Sequence, residues 1–140
     1  MATPQSMLMK SASLRIMIVD DNRDAADSLA SLLELDGHET QVAYNGDTAL
    51  KRAPQFRPAL VLLDIGLPGM DGYEVARQLR AAPATAAAGL VAVTGYGRVE
   101  DERRTRDAGF DAHLVKPIDL ACLERIIAQL PGETSSVLTR

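Results

Sequence analysis

Ala59-Leu60-Val61-Leu62-Leu63-Asp64 is followed, after Ile65, by Gly66-Leu67-Pro68-Gly69-Met70-Asp71-Gly72. Five consecutive apolar residues are too few for a core helix and do not alternate with polar ones. They therefore read as a strand buried on both faces, as in a parallel sheet. The glycines and proline that follow are turn formers, so the chain must leave the strand through a loop just after Asp64. The same pattern recurs on either side. Arg15–Asp20, Leu90–Thr94 and Ala112–Lys116 are further apolar runs, and Thr40–Tyr44 is a weaker one. Helical patterns fill the gaps. Asn22 or Asp24 can cap a helix that carries Leu29, Leu32 and Leu33 at i, i+3, i+4 and stops at Gly37. A short helix follows the Asn45-Gly46 turn to about Ala53, another runs from Tyr73 to Arg80, and a charged one from Arg98 to Ala108. A fifth and final helix, after Ala112–Lys116, puts Leu120, Leu123, Ile126, Ile127 and Leu130 on one face before Pro131.

Strand–helix alternation of this kind implies βα units and hence an α/β fold: a five-stranded parallel sheet, doubly wound, with helices on both faces. The strand order 2-1-3-4-5 is adopted from the flavodoxin-like form of such sheets, in which ligands bind beyond the carboxyl ends of the strands where the order reverses. Residues 1–13 and 132–140 read as flexible tails around a single domain over 14–131. After Leu130 only a tail remains, so no output domain is expected.

The length of 140 residues suits one domain. A net charge of −4 leaves no global positive field to hold nucleic acid or an anionic membrane, so neither is an expected partner. Cys122 is alone and can form neither an internal disulfide nor a paired metal site, which fits a reducing compartment. There is no apolar run of membrane-spanning length and no signal-peptide pattern at the start, so the expected location is cytoplasmic. No phosphate-binding glycine fingerprint occurs, and nucleotide binding has no motif behind it.

The strand ends carry the chemistry. Strand one ends in Asp20-Asp21, strand three in Asp64, strand four in Thr94 and strand five in Lys116-Pro117. In the adopted order the three acids share one rim, where they repel one another and call for a cation. An all-oxygen site with open positions suits Mg2+. Lys116 can neutralise an arriving anion, and the Thr94 hydroxyl can bond a phosphoryl oxygen. Asp64 stands alone before a glycine loop and is the candidate nucleophile toward phosphorus, with Asp20 and Asp21 serving the metal.

Four motifs, each at a strand end, then identify a resemblance: Ile18-Val-Asp-Asp-Asn22, Leu62-Leu-Asp-Ile-Gly-Leu-Pro-Gly-Met-Asp-Gly72, Val93-Thr94 and Val115-Lys-Pro117. The chain resembles the receiver domain of two-component response regulators from about Arg15 to Leu130, of the chemotaxis-regulator kind, stand-alone or attached to hybrid histidine kinases. The resemblance implies that Asp64 accepts a phosphoryl group from a histidine kinase or a histidine phosphotransfer protein. It implies Asp21 as a direct Mg2+ ligand, Asp20 as one chiefly through water, and the Gly66 carbonyl as a third protein ligand. Thr94 and Lys116 would hold the phosphoryl oxygens, and Lys116-Pro117 would be a cis peptide bond. Signalling to a downstream protein target would pass through the helix 4, strand 5 and helix 5 face, from a monomer or weak dimer.

Three positions depart from the pattern. His113 stands where the family's switch residue is usually Tyr or Phe, and imidazole can titrate near neutrality. Gly95 replaces the usual Ala after Thr94. Gly66 and Tyr96 occupy the positions that tune phosphate lifetime, and together they imply slow self-dephosphorylation. The plainer readings are strand-end acids that cap the next helix, Lys116 as a surface lysine, His38 in a turn with no partner motif, and Cys122 as a packing residue. Two rivals remain within reach of the residues: an aspartate-nucleophile Mg2+ phosphatase, whose Asp-x-Asp-x-Thr spacing is absent, and a phosphate sink or relay intermediate.

Overall fold

The computed structural model describes residues 13–95 and 102–130. The strands are β1 (Arg15–Val19), β2 (Glu39–Ala43), β3 (Leu60–Asp64), β4 (Gly89–Thr94) and β5 (Ala112–Val115). The helices are α1 (Arg23–Leu35), α2 (Gly46–Phe56), α3 (Gly72–Ala81), α4 (Glu102–Asp107) and α5 (Leu120–Gln129). All five strands pair in parallel in the order β2-β1-β3-β4-β5, as expected from the sequence. The expected tails at 1–13 and 132–140 lie, apart from Ser13, outside the described residues, as do Tyr96 and the first part, 98–101, of the helix expected from Arg98 to Ala108.

Successive strand side chains point to opposite faces, and both faces are apolar, which is why no alternation shows in the sequence. Ile16, Ile18, Leu60, Leu62, Val91 and Val93 form one core with Ala26, Ala30 and Leu33 of α1 and Leu123 of α5. Met17, Val19, Val61, Leu63, Leu90 and Ala92 form the other, with alanines and Phe56 of α2 and Val75, Ala76 and Leu79 of α3. Four helices begin on side-chain caps. Asn22, Asn45, Asp71 and Asp119 each accept an N–H of the first turn.

Three local expectations change. On α1, Leu33 is buried but Leu32 is exposed, because the seam facing the sheet runs through Ala26, Ala30 and Leu33 and Leu32 is turned a quarter-circle away. The α2 helix continues past Ala53 and through Pro54 to Phe56. Burial of the Phe56 ring holds its last turn against the sheet. On α5 only Leu123 is fully buried, while Leu120, Ile126, Ile127 and Leu130 pack partly against the same core, as does Cys122. Among the described residues no helix is long and apolar enough to cross a membrane.

Candidate functional site

The carboxyl ends of β1 and β3 are adjacent in the sheet, with Val19 opposite Leu63, so the residues just beyond them meet. Carboxylate oxygens of Asp20, Asp21 and Asp64 all lie within 4.8 Å of one another. Asp20 and Asp64 are buried and Asp21 is exposed. Two local bonds aim the buried pair. Asn22 N–H donates to Asp20 Oδ1 at 2.9 Å, and Gly66 N–H donates to Asp64 Oδ1 at 2.8 Å. Each carboxylate thus turns one oxygen to its own loop and keeps the other for the cluster.

Lys116 reaches that remaining oxygen on both. Its Nζ lies 2.9 Å from Asp20 Oδ2 and 3.1 Å from Asp64 Oδ2. It arrives from the turn after β5, and the Lys116–Pro117 bond is cis. Burial lowers the basicity of the ammonium, but its hydrogen bonds to Asp20 and Asp64, together with their charges, outweigh this and raise its pKa above the ordinary lysine value. Thr94 ends β4, next to β3, where Asp64 is in register with Val93. Its hydroxyl is buried and has no hydrogen-bond partner among the described residues. A buried hydroxyl in that state is costly unless something else bonds it.

The charges define what fits here. Three carboxylates and one ammonium leave a net charge of minus two, which one divalent cation cancels. The donor set is all oxygen, and one face is open through the exposed Asp21, so the residues present fit Mg2+ with room for water or a phosphoryl oxygen. Gly66, exposed in the loop after β3, lies next to this cluster through its bond to Asp64. His113 sits on β5 three residues before Lys116, in register with Ala92, and its side chain is exposed. His38 does have a partner: its Nδ1 accepts the Leu14 N–H at 3.1 Å.

In the sequence Asp71-Gly72 reads only as part of a turn, yet in the structure both residues support the site. Asp71 Oδ1 accepts the N–H groups of Tyr73 and Glu74, starting α3, and its Oδ2 meets Arg104 of α4 at 3.4 Å. Arg104 also stacks over the Tyr73 ring, 4.0 Å from its centroid. Gly72 presses on the backbone that carries Asp64. A Cβ there would lie 2.5 Å from Ile65 Cα and 2.9 Å from the Asp64 carbonyl oxygen. An Asp-Gly pair ahead of a helical pattern was the available signal. On the other flank, the Arg23 guanidinium lies 4.1 Å from the Tyr44 ring centroid and Tyr44 Oη donates to Asp27 Oδ1 at 2.6 Å, tying the start of α1 to the end of β2.

Residues 16–128 match the family model for the response regulator receiver domain. The chain is 37% identical over 105 residues to the polar-differentiation response regulator DivK of Brucella anthropi, covering 75% of this chain and 85% of that one. Its structure resembles a CheY-like receiver domain protein from Methanospirillum hungatei with a TM-score of 0.79 and 30% identity, over 89% of this chain and 99% of the other. It also resembles the receiver domain of the sensor histidine kinase PA1611 from Pseudomonas aeruginosa, which has a magnesium ion coordinated in its active-site cleft. The TM-score there is 0.76 with 28% identity, over 87% of this chain and 100% of the other. Other relatives are longer, and the chain spans as little as 15% of one of them.

Proposed function

The chain belongs to the response regulator receiver domain family, the signalling modules of two-component systems, and from that premise we propose that it stores a signal as a phosphoryl group on Asp64. The observation that carries this reading is the convergence of Asp20, Asp21, Asp64 and Lys116, with the Thr94 hydroxyl, unpartnered among the described residues, at the end of the strand next to Asp64. The donor is a phosphohistidine of a histidine kinase or a histidine phosphotransfer protein. A carboxylate oxygen of Asp64 attacks phosphorus, an O–P bond forms, the P–N bond breaks, and its electron pair returns to the imidazole nitrogen.

Asp20, Asp21, Asp64 and the Gly66 carbonyl would hold Mg2+. When bound, the ion would cancel the charge of the cluster and screen the phosphoryl oxygens. Lys116 already faces the position where negative charge builds up and is kept protonated by its two carboxylate partners. The Thr94 hydroxyl supplies a donor to a phosphoryl oxygen and gains the partner it lacks. Its movement would draw in the loop after β4 and shift the surface of α4, β5 and α5, where His113 and Val115 stand exposed on the sheet edge. That surface is the proposed contact for a downstream protein. A mostly apolar groove of about 450 Å3 beside Asp20 and Lys116, lined by Leu29, Leu32, Pro117 and Ile118, suits the phosphodonor protein.

Mass spectrometry of the full chain after incubation with acetyl phosphate and Mg2+ tests the proposal. The expected result is a gain of one phosphoryl group on wild type and none on Asp64→Asn. Labelling that persists in Asp64→Asn would move the acceptor elsewhere and overturn it.

A further inference from the structure

At the opposite end of the sheet from the carboxylates, where β1 and β2 begin and α2 ends, lies an open groove of about 650 Å3. Arg15, Arg52 and Arg57 line it together with Gln41, Gln55 and Glu39. Three guanidiniums against one carboxylate give a local charge of plus two, in a chain whose net charge is −4.

Two of the arginines are held in place by the backbone. Arg15 Nε donates to the carbonyls of Phe56 at 2.8 Å and Arg57 at 3.1 Å, and one Arg52 amino group donates to the Val42 carbonyl at 2.9 Å. Each bond fixes the plane of a guanidinium while leaving further N–H donors on it, so ordering of these side chains is largely completed before any ligand arrives. The third arginine has no such tether. Arg57 closes α2 in the left-handed region, with φ 53° and ψ 63°. Glycine, or asparagine, is the usual residue at such a helix end, and a long β-carbon-bearing side chain is strained there. Its guanidinium is exposed and has no partner among the described residues. An untethered cation lining the same groove as two pre-oriented ones, at a backbone position that would relax with glycine, suits an anion.

We propose that this groove binds a small molecule bearing two or more phosphate groups, through Arg15, Arg52 and Arg57. Planar guanidiniums match phosphate oxygens in pairs, and the groove has room for far more than one inorganic phosphate. The Gln41 and Gln55 amides supply neutral donors along its walls. Binding there requires neither Asp64 nor a metal ion.

Calorimetric titration of pyrophosphate into the full chain, in buffer free of divalent metal, tests this directly. Saturable binding to one site is expected in wild type and unchanged in Asp64→Asn. Arg57→Gly is the decisive variant. It removes the cation and relieves the left-handed strain, so affinity should fall about tenfold while Tm rises. Arg52→Gln should weaken binding similarly. No saturation up to about 5 mM would overturn the proposal, as would affinity unchanged by Arg57→Gly or lost in Asp64→Asn.

Discussion

Lys116 Nζ lies 3.1 Å from Asp64 Oδ2, although the two residues are 52 positions apart, and the same nitrogen lies 2.9 Å from Asp20 Oδ2. The ammonium therefore holds together two carboxylates that would otherwise repel across the end of the sheet. It cancels one of the three negative charges in the cluster, and the remainder is a built-in instability that a divalent ion removes.

The first prediction concerns that excess charge. In metal-free buffer Asp21→Asn should raise Tm, because one of three clustered carboxylates is neutralised and the side chain is exposed enough to tolerate the change. Mg2+ at ten times its dissociation constant should stabilise wild type by about 1.4 kcal/mol. The stabilisation should be clearly smaller in Asp21→Asn at the same concentration. Thermal melts with and without Mg2+ measure both effects, and equal Mg2+ responses would exclude Asp21 as a ligand.

Gly72 is expected to tolerate no side chain. A Cβ would sit 2.5 Å from Ile65 Cα, and that neighbour is backbone which cannot swing aside. Gly72→Ala should cost about 1–3 kcal/mol in urea unfolding. It should also weaken Mg2+ binding, since the displaced segment carries Asp64. A neutral effect on both would mean that the α3 start can retreat freely.

Stability should fall in mild acid because of His38. Its pKa is lowered, chiefly by burial and against the opposing pull of Asp36, and its Nδ1 accepts the Leu14 N–H as a neutral ring. A base with a depressed folded pKa is protonated first in the unfolded chain. The stability it contributes is therefore complete above the ordinary histidine value of 6.5 and declines as pH falls below it. Melts between about pH 8 and pH 5 should show a shallower decline in His38→Gln than in wild type.

Phosphate lifetime should respond to the loop after β3. Gly66 is exposed and offers no side chain to orient water at Asp64. Gly66→Asn should speed loss of the phosphoryl group severalfold, followed as decay of the phosphorylated mass with free Mg2+ present. An unchanged rate would remove Gly66 from control of the lifetime.

Much of this was readable in the chain order. Apolar runs of strand length separated by helix-period patterns specify βα units, because both periods arise from local backbone geometry. The polar residue that ends each run then marks a strand terminus, so Asp20, Asp64, Thr94 and Lys116 could be assigned to one rim once an order was adopted. Other features had no such signal. Leu29, Leu32 and Leu33 share a helical pattern, yet which of them faces the sheet depends on the roll of α1 against β1 and β3. Gly72 looked like a turn residue until the packing of α3 on Ile65 showed what fills its place.

The sequence by itself determined the elements, their alternation and the residues that terminate the strands, since each follows from interactions within a few positions. Only the tertiary structure decided that Lys116 bridges Asp20 and Asp64, that the Thr94 hydroxyl is buried without a partner among the described residues, and that Arg57 lines one groove with Arg15 and Arg52. Those relationships join residues far apart in the chain, and their distances are set by strand register and helix packing, which no local pattern of residues records.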